Sequence, residues 1–493
     1  MGIYMAVTRD EALRALDFGS VDSESETDLD RRFVRTADFD SFTKSNTWLT
    51  LGAKGTGKSA LFEFFTKYEA SAREISGKSL DGVWLTAGTG FSDLSEIATG
   101  DLHALKSEKE YDHDKLWRLY IAIRAGLALN RSGYIPKGPL RDLLVAVGDR
   151  KDLRVGPLLK SLWSLVIGSP PSEVTVAAQG ATITLKGGRR TLDVVTLLQD
   201  VQQTLELEHR ELWVFFDKID EIYPSDREER IRALEGLMTA CIAIRRSFPN
   251  IRPKVLLRTD LWRHLNFTNK SHLSDKQIEL RWSRDQLAML LLKRAIADDA
   301  VWEVVATEYP RLLEVKNVED LNPVEVIEAL AVVFPTSAYP GQNEAKFVDW
   351  LVTRVTDAQG TVLPREAILL ANLSSKIQLE TGGAQDGGSL IGREAIREAF
   401  TRTSRMRCET YLAEFPNLKE HFRRFEGQTA STFDREEIAE LMDGLNPSGT
   451  ELLQELYDIG LLMPIRGDVA TAEQFELPRL YRTGLGLIIR GRA

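Results

Sequence analysis

The chain has 493 residues, 43% hydrophobic and 28% charged, an ordinary globular composition that is too long for one small domain and predicts roughly two to four packed units. Its 63 basic and 73 acidic side chains leave a net charge of -10, which excludes a chain-wide pull toward phosphate backbones, so nucleic-acid binding would need a local basic patch. Two cysteines, Cys241 and Cys408, and six scattered histidines argue against a disulfide framework and a paired zinc or histidine metal site, and fit a reduced, cytoplasmic protein.

The first residues carry no charged leader followed by an apolar stretch, so export is not expected. Residues 17–31 are acidic and polar and read as exposed turns leading into a core, which begins with a helical apolar pattern through Phe33, Val34, Phe39 and Phe42. Residues 47–51 predict a strand, followed by a glycine-rich loop and a helix over 60–68. A second strand is predicted over 82–87 and a helix over 115–129. Between 131 and 190 the pattern becomes irregular and reads as an insertion. Its most apolar run, 158–167, is interrupted by Lys160 and falls short of the about 20 apolar residues that span a bilayer. Alternation over 173–185 around a glycine predicts a hairpin, serving as an oligomer contact, an effector dock or plain surface elaboration.

A helix over 192–205, a buried strand over 212–216, a long helix over 227–248 and strands over 254–257 and 277–280 complete an α/β pattern. Strands alternating with helices predict a mostly parallel sheet covered on both faces. Past Ser283 apolar stripes at 286–294, 324–333, 346–356 and 365–379 predict a helical lid, with residues 381–388 as the clearest linker. Trp117, Trp163 and Trp302 lie on apolar helical patterns and are assigned to the core. A capping pattern from Asp434 to Glu437, helices to Met442 and over 450–457, and apolar runs at 461–463 and 475–477 predict a winged-helix-like module. The expected organisation is a lead-in (1–45), a P-loop core (46–285) with its insertion at about 131–190, a lid (286–385) and a winged-helix-like C-terminal domain (386–493).

The chemistry is carried by Gly52, Ala53, Lys54, Gly55, Thr56, Gly57, Lys58 and Ser59, followed by Ala60. Such a loop between a strand and a helix turns backbone N–H groups inward onto phosphates and adds the positive helix end. Lys58 reaches the β- and γ-phosphates and Ser59 offers its hydroxyl to Mg2+, so ATP and Mg2+ are the expected ligands. Asp217 ends an apolar strand and is expected to hold the magnesium; Asp220 and Glu221 follow within a turn, and Glu221 is the first choice as base toward the attacking water. Arg258, Thr259 and Asp260 end a third strand at the same edge, where a polar group senses the γ-phosphate or closes a salt-bridged turn.

Asp17-Phe18-Gly19, the loop through Leu61, Asp217 to Glu221, Leu256 to Trp262 and Ile278 to Trp282 together resemble bacterial P-loop ATPases of the AAA+ and STAND-like division, related to KAP-type NTPases and found among anti-phage and other conflict genes. The resemblance is strongest over residues 17–300. It implies a slow ATPase acting as a switch in a homo-oligomer, with Thr259 or Arg258 at the sensor position and Arg365, after Pro364, as a lid-helix sensor. It also implies an arginine acting across a subunit boundary, for which Arg281, Arg284 and Arg294 are candidates. Lys218 stands where many AAA+ proteins have glutamate, a departure that favours the STAND-like pattern and slow turnover. KAP-type membrane helices have no counterpart in this insertion, so no membrane partner is expected. With no nuclease, protease, deaminase or TIR segment left over, the resemblance implies a separate effector protein.

The runner-up is a DNA-binding initiator or loader ATPase. Against it, residues 451–458 carry Glu451, Glu455 and Asp458 and no base, the wrong sign for a groove helix. Arg466, Arg479, Arg482, Arg490 and Arg492 would touch either DNA or an acidic neighbouring subunit, and the acidic balance favours the subunit. A scaffold that binds ATP without turnover is the third reading.

Overall fold

The computed structural model describes residues 7–88, 112–134, 140–141, 173–178, 181–186, 193–221, 227–341, 344–384 and 388–488. Most of the insertion, including residues 158–167 and Trp163, lies outside the described residues, as do Arg490 and Arg492. Two compact units divide the chain: Ala37–Gly52 with Lys58–Leu280, and Met1–Thr36 with Ala53–Gly57 and Arg281–Ala493.

The first unit is built on β1 (Leu49–Gly52), β2 (Val83–Ala87), β5 (Glu211–Phe216), β6 (Ile251–Arg258) and β7 (Gln277–Glu279), with β3 (Glu173–Ala178) and β4 (Ala181–Lys186) forming the separate antiparallel hairpin expected from their alternation. The sheet order is β2-β5-β6-β1-β7, and every pairing in it is parallel. Parallel neighbours need crossovers, which the helices His113–Arg131, Val194–Leu207 and Arg227–Ser247 help to supply. Leu212, Val214 and Phe216 on β5 join Trp117, Leu198 and Leu237 from those helices in one hydrophobic core. Register places Gly52 opposite Arg258 and Phe216 opposite Val255, so the residues that follow β1, β5 and β6 emerge at one edge.

Lys254, in the middle of β6, is fully buried. Burial pushes its ammonium well below the ordinary lysine range, yet its three N–H donors reach the carbonyls of Phe42 (2.7 Å), Lys44 (2.8 Å) and Thr47 (2.6 Å), and it lies 3.8 Å from the Trp213 ring centroid. The segment entering β1 is thereby fastened to β6.

The second unit is helical, then mixed. Arg284–Ala295, Asp299–Glu308, Pro323–Val333, Phe347–Val352, Pro364–Glu380 and the first turns of Arg393–Glu414 surround one apolar cluster. Capping boxes at Ser283/Gln286 and Asn322/Glu325 start two of them. The stripe at 346–356 is helical only to Val352, and Asp357 then accepts from the Gln359 and Thr361 N–H groups and turns the chain.

Two expectations fail here. Residues 17–31 do not simply lead in along the surface: Glu26 is 2% exposed and accepts from Arg32 (3.0 Å) and Arg294 (3.1 Å), while Arg294 also donates to the Phe18 carbonyl (2.6 Å). Asn372 reads both sides of the adjoining turn, accepting from Phe18 N–H and donating to the Gly19 carbonyl. The helix Arg9–Ala15, capped by Thr8 and Glu11, adds Ala12 and Leu13 to the cluster. Trp302 is the second failure. It is 39% exposed, because it lies beside the stripe of Val301, Val304 and Val305 that faces inward.

A second cluster holds the winged-helix-like part. Helices Arg435–Leu441 and Gly449–Asp458 pack with β8 (Thr432–Asp434), β9 (Met463–Pro464) and β10 (Gln474–Glu476), an antiparallel sheet of order β8-β10-β9. The Asp434/Glu437 capping box forms as expected. β8 was not expected; its three residues are too few to show a period. Arg435 donates to the carbonyls of Val469 (2.6 Å) and Ala472 (2.8 Å) and pins the wing. Among the described residues no helix is long and apolar enough to cross a membrane.

Candidate nucleotide site

β1 delivers the chain to Gly52, five residues turn, and the helix Lys58–Thr66 begins. Helix formation starts at Lys58, two residues earlier than the apolar pattern of 60–68 indicates, so Lys58, Ser59 and Ala60 form its first turn. Gly55 (φ +86°) and Gly57 (φ +98°) hold backbone conformations that side chains disfavour. At Gly55 a Cβ would also come within 3.3 Å of the Arg365 Cβ. Thr56 closes the turn with its hydroxyl on the Ala53 carbonyl (2.8 Å). The loop is also held from outside: the Trp282 indole donates to the Thr56 carbonyl (2.9 Å) and the Arg365 N–H lies 3.4 Å from the Gly55 carbonyl. Arg365 thus stands beside the loop, in the first turn of Pro364–Glu380.

In the other unit, Lys58 donates to the Gly52 carbonyl at 2.9 Å. Burial lowers its ammonium to about 8, against the opposing pull of Asp217, Asp220 and Asp260. Burial raises the Asp217 carboxyl, opposed by a hydrogen bond from Ser59 and by the charge of Lys58. Lysine, hydroxyl and carboxylate are therefore already neighbours, the donor set that a magnesium ion bound to a triphosphate would use. Lys54 lies within the loop, partly exposed.

Lys218 has φ +54°, a left-handed conformation at a non-glycine residue directly after Asp217. This reversal leads into the short turn Ile219–Glu221, buries Ile219 in the core and brings Asp220 back to the edge. Lys218→Val would force a β-branched residue into that conformation and should cost about 1–3 kcal/mol, whereas Lys218→Gly should stay within about 1 kcal/mol of the parent. Chemical denaturation of the two variants reads the difference; equal stabilities would contradict the strained turn.

Arg258 holds Asp260 through two bonds (3.0 and 2.7 Å) and lies 3.7 Å from Asp220. Burial raises the Asp260 carboxyl, but the Arg258 ion pair outweighs it and holds the group below the ordinary range. Thr259 turns the other way, its hydroxyl 3.5 Å from Glu279 on β7. The three strand-end residues therefore separate: Arg258 and Asp260 join the acidic edge and Thr259 does not. Arg230, which sequence reading missed, donates to the Asp220 carbonyl (3.3 Å). It sits on a long helix rich in arginine, and nothing local distinguishes it.

The cross-subunit candidates also separate. Arg294 is consumed by Glu26 and the Phe18 carbonyl, which corrects its candidacy. Arg284 is paired with Asp349 and Asp285, and Arg281 is exposed.

A parallel sheet, a glycine loop opening a helix, and lysine, serine and aspartate at one strand edge decide the architecture. The fold is that of a P-loop ATPase. No protein-family model matches the sequence, and no curated protein does. Among solved structures the chain is similar to the ORC2 protein of Aeropyrum pernix, solved as ADPNP-ADP complexes, at 14% identity over 92% of this chain and 94% of that one, with a TM-score of 0.35. It is also similar to Cdc6p of Pyrobaculum aerophilum, at 12% identity over 90% and 87% of the two chains, with a TM-score of 0.29. Likenesses at this level leave the roles of the site residues to the geometry of this chain.

Proposed function

We propose that the protein is a Mg-ATP-dependent ATPase that works as an oligomerising molecular switch. The observation that carries this reading is the cluster of Lys58, Ser59 and the buried Asp217 with Asp220, Arg258 and Asp260 at one sheet edge. In it Lys58 neutralises the β- and γ-phosphates, Ser59 and Asp217 hold Mg2+, and Glu221 takes the proton of the attacking water. The ion pair of Asp220 with Arg258 favours Glu221 over Asp220 as that base. Arg258 and Arg365 are the sensor arginines in this reading, and Arg365 carries the state of the loop to the head of the helix Pro364–Glu380.

Glu221→Gln should bind ATP with parental affinity and hydrolyse it about a hundredfold or more slowly. Phosphate release and nucleotide titration measure the two separately. Parental turnover in the variant would remove the base assignment, and absent turnover in the wild type would leave an ATP-binding scaffold.

Subunit assembly driven by ATP and reset by hydrolysis is the switch we envisage. A separate effector and a role in anti-phage defence in the cytoplasm rest on the motif resemblance. The initiator or loader reading gains the winged-helix sheet, but the helix Gly449–Asp458 still presents acid: Glu451 is exposed on it. Any contact with nucleic acid has to be made elsewhere.

A further inference from the structure

A basic and aromatic surface is assembled in the helical unit from segments far apart in sequence. Arg354 lies 4.3 Å from the Trp350 ring centroid and 5.4 Å from that of Phe400, and Arg397 lies 5.3 Å from the ring of Tyr339. Arg393, one helical turn before Arg397, donates to the Ser337 carbonyl (3.1 Å), and a bridge pairs Ser337 with Lys346. Arg479 stands next to Leu480, whose carbonyl accepts from the Ser404 hydroxyl on the helix that carries Arg393 and Arg397, and its charge acts on Arg354. Burial, and the like charge of Arg479, depress the Arg354 guanidinium.

The carboxylates around this surface are mostly engaged: Glu398 by Arg402, Glu476 by Arg482 and Asp349 by Arg284. Glu394, 94% exposed and 3.9 Å from Arg397, and the exposed Glu344, two residues before Lys346, are the weak counter-charges. Arg354 instead donates to the Trp350 carbonyl and the Thr353 hydroxyl, both at 3.1 Å. Four arginines and one lysine against two exposed carboxylates make a local positive excess in a chain of net charge -10, which attracts an anionic partner. Tyr339, 38% exposed, adds a π-face beside them.

We propose that the surface formed by Tyr339, Lys346, Arg354, Arg393, Arg397 and Arg479 binds the phosphodiester backbone of nucleic acid without reading its sequence. Arginine and lysine neutralise phosphates, and the exposed phenol ring and the guanidinium planes offer stacking faces to unpaired bases. The Tyr339 hydroxyl already pairs with Arg354, and a carboxylate-bearing protein would satisfy the charges but make no use of the exposed part of the ring. The site is independent of the nucleotide cluster and does not use the acidic helix Gly449–Asp458.

The test is fluorescence anisotropy of the full chain with a labelled oligothymidine and a labelled mixed-sequence duplex, between about 50 and about 200 mM salt. The wild type should bind at least one of them, and the arm that binds more tightly identifies single strand or duplex as the source of the backbone. Arg354→Gln/Arg397→Gln should weaken binding about tenfold at low salt and reduce the salt slope by about 2. Because Arg354 also packs on Trp350, Arg393→Gln/Arg397→Gln, which leaves that packing intact, is the second variant, with circular dichroism to confirm folding. Arg311→Gln, at a guanidinium held by Glu314 and Glu325, should leave binding unchanged. No wild-type binding to either oligonucleotide at low salt would overturn the proposal, as would parental affinity in both double variants. Loss of self-association in those variants, without any oligonucleotide binding by the wild type, would assign the surface to an acidic protein instead.

Discussion

Lys58→Ala should lower nucleotide affinity at least about thirtyfold while leaving the fold intact. The side chain lost is the partly buried cation next to the buried Asp217, and its removal leaves triphosphate charge facing Asp217, Asp220 and Asp260 with Arg258 already committed to Asp260. Truncating one partner of a buried charge pair costs about 2–5 kcal/mol, which lowers affinity between about thirtyfold and several thousandfold. The same lysine sets a pH dependence. With its ammonium at about 8, it is mostly charged near neutrality and loses its proton as pH rises past that value. Bound phosphates favour the charged form, so ATP affinity should be flat near about pH 7 and fall by up to about tenfold per unit above about pH 8, with proton uptake on binding. Isothermal titration in buffers of different ionisation enthalpy measures both. A pH-independent affinity up to about pH 9 would contradict the role given to Lys58.

Arg294→Met should destabilise the helical unit by about 3–5 kcal/mol, because it leaves the buried Glu26 with Arg32 alone and strips the Phe18 carbonyl of its donor. The second substitution, Glu26→Gln in the same chain, should cost less than it does by itself, since the charge it removes has already lost one of its two arginines. Denaturant unfolding of both single variants and the double variant closes the cycle. An arginine working across a subunit boundary predicts the opposite pattern: a normally stable Arg294→Met protein with impaired hydrolysis.

The parts of the molecule legible in sequence are those whose signal is local. The loop from Gly52 to Ser59 announces itself because phosphate binding needs glycines, a lysine and a hydroxyl at consecutive positions, and β5 does so because five apolar residues run directly into Asp217. Register then brings Gly52 and Arg258 level, as their places at strand ends suggested. What escaped is made by contact between distant segments. Residues 17–31 look solvated because their acids are read without Arg294, more than 250 positions away. Trp302 looks like core because a helical stripe says which residues recur and not how wide the buried sector is. Arg230 and the surface around Arg354 have no period or motif at all. The sequence shows no basic cluster there, because Lys346 and Arg393 meet at Ser337 only after folding. Domain limits belong to the same class, since the helix Arg393–Glu414 carries Ala395 in one apolar cluster and Cys408 in the other.

The central claim is that nucleotide state controls assembly, and light scattering coupled to size exclusion tests it most directly. Wild type and Glu221→Gln would each be run without nucleotide, with Mg-ADP and with Mg-ATP. The switch predicts a molar mass that rises only with Mg-ATP and persists in the variant; an unchanged monomer in every state would contradict it.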